Sequence, residues 1–226
     1  MRCSGVNPMK PNAIVGALAL TLMVAGSAGL LVTPPAHAET AAAAAAAPAA
    51  PKLHAAMRSL WQGHVEGTRA YALAVKAGDA KAANKAADDV VADAKQIADA
   101  VGGFYGAAAG KQMLTLLARH WGGVKAMTDA VHAGDNAARD KAMSDLVANG
   151  SEIAKFLAGA NPNLTEDAVR GLLTTHVGHH SAQIREIMQG DMKAEATTWA
   201  AMRAHMDTLA DALSGAIAKQ FPQKAT

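Results

Sequence analysis

Thiol chemistry is almost missing from this chain. Its only cysteine is Cys3, inside an N-terminal segment that reads as cleaved. The folded part therefore has neither a disulfide nor a thiolate metal site available to it. Aromatic residues make up 4 % of the sequence, and 21 basic against 19 acidic residues leave a net charge of +2. Without Arg2 and Lys10 the balance is 19 to 19. A neutral, aromatic-poor chain carries no electrostatic footprint for nucleic acid. Strand-period alternation of apolar and polar residues is absent, which argues against a sheet. The P-loop, the nucleophile elbow, His-Glu-x-x-His, the c-type haem motif and the Glu-x-x-His of di-iron bundles are absent too. No catalytic motif therefore supports an enzyme.

One long apolar run is present, from Ala13 to Val32, preceded by Arg2 and Lys10 and followed by Ala36-His37-Ala38. This is the n-region, h-region and small-residue cleavage site of an export signal. The run approaches membrane-spanning length, but the Pro34-Pro35 break and the cleavage site favour removal. The expected organisation is a signal peptide over 1–38, an Ala/Pro-rich linker over 39–52, a helical domain over 53–221 and a tail over 222–226. The mature protein is then periplasmic or secreted, with no stable membrane anchor.

The domain reads as three copies of one unit. Leu60 to Asp79, Leu116 to Asp135 and Leu172 to Asp191 align without gaps at an offset of 56 residues. Each holds an apolar pair, a histidine (His64, His120 or His176), a helical stripe and a closing Gly-Asp step. A fixed period of this length signals a repeated supersecondary unit. The steps at Gly78-Asp79, Gly134-Asp135 and Gly190-Asp191 combine a left-handed cap with an N-cap aspartate. Apolar residues recur at three- and four-residue steps on both sides of each step. Gly102-Gly103-Phe104-Tyr105-Gly106 and Gly159 to Asn163 read as breaks between units, and Thr165 as the N-cap of a fifth helix. The expected fold is all-α: a six-helix bundle of three antiparallel hairpins.

The hairpins carry polar residues on their apolar stripes. His64 and Asp93 lie at equal distance from the first turn, His120 and Asn149 from the second, and His176 and His205 from the third. At 1.5 Å per residue each pair sits about 21 Å from its turn. His180 lies one turn beyond His176 on the same face, a spacing that can chelate a metal. Unpaired burial of such groups costs a few kcal/mol each, so they pair, hold water or bind something. Imidazole is the commonest metal-ligand side chain. The candidate ligands are His64, His120, His176, His180, His205 and Asp93, a set suited to zinc, copper, nickel or iron, with Asp93 or Asn149 as an alternative partner fixing a histidine tautomer.

A small ligand is the other candidate guest. A structural hydrogen-bond network inside a cell-envelope scaffolding module is the competing account of the same histidines. The methionines, among them Met57, Met113 and Met202, read as core filler. His54, His132 and His179 read as solvent-facing or near turns, and Arg69 as a solvated arginine.

Several segments carry a resemblance: Leu60-Trp61-x-x-His64-Val65-x-x-Thr68-Arg69, Phe104-Tyr105-Gly106-x-x-Ala109-Gly110, Asn149-Gly150-Ser151-Glu152-Ile153 and Gln220-Phe221-Pro222. They resemble a family of helical bacterial proteins, whose Asn-Ala-Asp-Glu-Ile segment differs from this chain at Gly150-Ser151. Some members carry the name acetylglutamate kinase. This sequence has no glycine-rich phosphate loop, so the resemblance implies the helical fold and supplies no mechanism.

Overall fold

The computed structural model describes residues 50–225. The signal peptide, its cleavage site and nearly all of the linker lie outside the described residues. Six helices follow one another: α1 (Pro51–Ala77), α2 (Ala80–Tyr105), α3 (Ala107–Ala133), α4 (Asn136–Ala160), α5 (Glu166–Gln189) and α6 (Met192–Gln220). None is long and apolar enough to cross a membrane. Helix α1 begins at Pro51, the position where a missing N–H costs nothing.

Each Gly-Asp step makes the same corner. Gly78, Gly134 and Gly190 have φ of 71°, 74° and 76°, a left-handed conformation that glycine adopts without a Cβ penalty. The amide of the following aspartate bonds back to the preceding helix, as Asp79 N to Ala74 O at 3.0 Å. Its carboxylate then caps the next helix, accepting from Ala82, Ala138 or Ala194 N. Two residues thus end one helix and start its antiparallel partner.

The other joints differ from expectation. Gly102 and Gly103 do not break α2, which continues to Tyr105 and ends at Gly106 with φ of 92°. A Cβ on Gly110 of α3 would lie 2.9 Å from Ala98 O and 3.1 Å from Gly102 Cα. The glycines here let two helix backbones cross closely, and that packing outweighs their weak helix propensity. Helix α4 likewise runs through Gly159 to Ala160. The buried Asn161 then closes the joint, its Nδ2 donating to the Tyr105 hydroxyl at 2.8 Å. Thr165 caps α5 by accepting from Ala168 N.

Every helix packs on its neighbours in the chain, α6 returns to α1, and α1, α3 and α5 also touch one another across the middle. The bundle is therefore a closed circuit of six helices in which α1, α3 and α5 stand inward. Arg58 on α1 grips Asp211 on α6 at 2.7 and 2.6 Å, and Gln62 reaches Arg203 O and Asp207. His54 joins Asp211 at 3.1 Å, so it belongs to this polar seam.

The apolar core divides into two clusters. One holds Trp61, Leu117 and Leu173 near the start of each inner helix; the other holds Tyr71, Val124 and Ile184 nearer their ends. His64, His120 and His176 fall between the two on all three inner helices.

Candidate metal centre

Four histidines meet where the inner helices touch. His64 comes from α1, His120 from α3, and His176 and His180 from α5; their relative exposures are 1, 3, 2 and 1 %. One ring nitrogen from each lies within 4.8 Å of the others. The His64 ring centre is 6.2 Å from His120, 6.1 Å from His176 and 6.4 Å from His180. His120 and His176 are stacked at 5.4 Å, and His176 and His180 meet edge-on at 4.4 Å.

Hydrogen bonding fixes part of this group. Asn149 Nδ2 donates to Leu116 O at 3.1 Å, so its Oδ1 accepts from His120 Nδ1 at 3.0 Å. The His120 proton is thereby placed on Nδ1, and its Nε2 lone pair is left buried without a partner. His176 and His180 share one bond between their Nε2 atoms at 3.1 Å, leaving His176 Nδ1 unpartnered. His64 has no partner at either nitrogen. A native interior pairs the large majority of its buried polar atoms. An internal network here does not close.

Burial keeps these rings neutral. It pushes the His64 imidazole down to about 3, with His120 adding repulsion, and His120 down to about 4 against the opposing bond from Asn149. His176 and His180 are held well below the ordinary range by burial and by the neighbouring rings. Neutral imidazole is the form that ligates metal.

The remaining two candidates lie elsewhere. Asp93 on α2 is half-buried beside Gly63, where an added Cβ would sit 3.1 Å from its Oδ2, and it does not bond His64. Its carboxyl is raised by burial and by Asp89 and Glu66. Outside the inner triangle a carboxylate keeps part of its hydration, which full burial beside uncharged rings would remove. His205 on α6 is also half-buried, and its Nε2 donates to Leu172 O at 2.9 Å. It stands beside the group, 6.5 Å from the His176 ring centre.

Two features escaped the sequence reading. His179 is half-buried and faces His205 at 5.5 Å between ring centres. Arg69 is not simply solvated: it holds the buried carboxylate of Glu195 at 2.6 and 2.9 Å, and Gln183 donates to the same carboxylate at 2.9 Å. The bond from Arg69 lowers the Glu195 carboxyl. The signal for Glu195 was its place on the stripe with Trp199, Met202 and Met206, at helical spacing.

The fold and the site together define an all-α six-helix bundle with a buried four-histidine group that could hold a metal ion. No protein-family model, curated protein or solved structure matches the chain.

The donor chemistry fits such an ion. Metal–nitrogen bonds of about 2.0–2.1 Å at a tetrahedral ion put its ligand nitrogens about 3.3 Å apart. The His176–His180 pair already lies near that separation, at 3.1 Å. The other rings need to contract from at most 4.8 Å.

Proposed function

We propose that this chain is an exported protein that binds a first-row transition-metal ion for storage, buffering or sensing. Its domain is read as three copies of one helical hairpin, as the 56-residue offset suggests. The signal-like N-terminus supports export to the periplasm or beyond. The helical bacterial family that the sequence resembles is compatible with this reading and adds no chemistry to it.

The observation that carries the proposal is the set of unpartnered buried ring nitrogens on His64, His120 and His176. Leaving them unpaired costs about 1–3 kcal/mol each, and an ion coordinated by the group removes that penalty at Nε2 of His120 and at one nitrogen of His64. Four neutral nitrogen donors suit Zn(II), Cu(II), Ni(II) or Fe(II), with affinity rising toward copper along the ordinary divalent series. Four protein ligands fill a tetrahedral ion and leave no position for reacting water, which favours holding over catalysis. His120, paired with Asn149, has the kind of tautomer-fixing partner that metal-bound histidines use.

The structural-network reading draws support from the His120–Asn149 and His176–His180 bonds. His64 tells against it, since a purely structural histidine has no reason to be buried without a partner. The test is metal analysis of full-length protein purified without an affinity tag, followed by Zn(II) titration of wild type and His176→Ala. One ion per chain, lost in the variant, is expected. Equal behaviour of the two proteins, with no stoichiometric ion, rejects the proposal.

A further inference from the structure

An ion bound at the four histidines has to arrive there, and the described residues bury all four rings. The four rings are 1–3 % exposed, and protein interiors are close-packed. Of the three seams within hairpins, one is built differently from the other two.

On the α1–α2 seam, Gly67 stands against Val90, whose Cγ2 would lie 2.7 Å from an added Cβ. On the α3–α4 seam, Gly123 stands against Leu146 in the same way, at 2.8 Å. Both outer helices therefore close tightly on the inner ones. On the α5–α6 seam the corresponding position, 56 residues after Gly123, is His179. An imidazole occupies the place where the other seams have only backbone.

That imidazole begins a series leading inward. Half-buried His179 lies 5.5 Å from half-buried His205, His205 lies 6.5 Å from buried His176, and His176 lies 4.4 Å from buried His180, all between ring centres. Two imidazoles on one tetrahedral ion have ring centres about 5 Å apart, given the usual bond lengths. The outer and inner steps are thus close to the separation at which adjacent rings share an ion, and the His205–His176 step, at 6.5 Å, is longer. The His205 tautomer is also set: Nε2 carries the proton donated to Leu172 O, so the lone pair is on Nδ1.

We propose that His179 and His205 form an outer landing site on the α5–α6 seam that takes a transition-metal ion from solvent and passes it through His176 to the buried four-histidine group. This rests on the metal-binding reading above. The ion moves by ligand exchange, gaining an inner imidazole before it releases an outer one. No bond is oxidised or reduced and no proton is consumed.

The test is the rate of Co(II) uptake by full-length, tag-free protein, followed by stopped-flow absorbance of the tetrahedral ion. Wild type is compared with His179→Ala and with the double variant carrying His205→Asn as well. Asparagine preserves a donor to the carbonyl, as Asn149 does toward Leu116, so the fold is retained. Uptake about tenfold slower is expected once entry depends on local opening of the helices, with final stoichiometry and spectrum unchanged. Should the double variant not fold, His179→Ala alone, at a half-buried position, gives the slower rate. Unchanged uptake overturns the relay. Loss of the ion at equilibrium also overturns it, by placing these residues in the final site. A wild type that takes up no ion at all removes the metal site itself, a result distinct from either.

Discussion

Nε2 of His176 lies 3.1 Å from Nε2 of His180, one helical turn away on the same helix and fully buried. Two lone-pair atoms this close repel unless a proton or an ion lies between them. In the free protein a shared proton serves. In the bound protein the same geometry spans one edge of a tetrahedral coordination shell.

Metal should therefore stabilise the fold. With Zn(II) at a hundred times its dissociation constant, the native state gains about 3 kcal/mol. For a domain of this size the melting temperature rises by roughly 6–12 °C. Calorimetry with and without Zn(II), and then with a chelator, measures this. His180→Ala is expected to show no rise, and a rise of equal size in that variant counts against the site.

His64 offers the opposite contrast. Both of its ring nitrogens are buried without partners, so His64→Leu removes two unsatisfied polar atoms from an apolar setting. The metal-free variant is expected to be more stable than wild type by about 1 kcal/mol, while losing the stabilisation by Zn(II). Urea unfolding reads both effects. A large loss of stability without metal would show that His64 does structural work of its own.

Acid should weaken the metal-free fold in a defined window. The unfolded chain protonates these rings below the ordinary imidazole value of 6.5, whereas His64 and His120 stay neutral in the fold until about 3 and about 4. Their contribution is complete above pH 6.5 and is lost as the pH falls through that range, because the unfolded state binds more protons there. Each ring costs about 1.4 kcal/mol per pH unit. Urea midpoints from pH 7 to pH 4 should fall accordingly, and His64→Leu should show a shallower slope. A flat profile in wild type contradicts the neutral buried rings.

Arg69 and Glu195 tie α1 to α6 beside Gln183 of α5. Glu195 is 1 % exposed, so Arg69→Ala leaves a buried carboxylate without its cation, at a cost of about 3 kcal/mol. Chemical denaturation should show this loss, and Arg69→Lys should recover only part of it, since lysine lacks the fork that reaches both oxygens. Little change in the alanine variant would mean that the carboxylate finds other support.

Helices and corners were legible along the chain because their causes are local. Apolar spacing selects the buried stripe of each helix, and a Gly-Asp step ends one helix and starts the next with its own backbone and side chain. The level of His64, His120 and His176 was legible as well, since rise per residue and distance from the turn fix height. The Gly102-Gly103 break was misread. Glycine weakens a helix locally, but here α3 crosses at Gly110 and supplies packing that the local rule omits.

The sequence by itself determined six amphipathic helices, their corners and the depth of each polar residue along them. Only the tertiary structure decided which helices stand inside. Rise per residue gives height along an axis but not distance from the bundle centre. His64, His120, His176 and His180 therefore meet while Asp93 and His205, at matching heights on outer helices, stay at the margin. The division follows from helix placement: α1, α3 and α5 touch one another across the middle, so side chains on α2 and α6 at the same height stop at the margin.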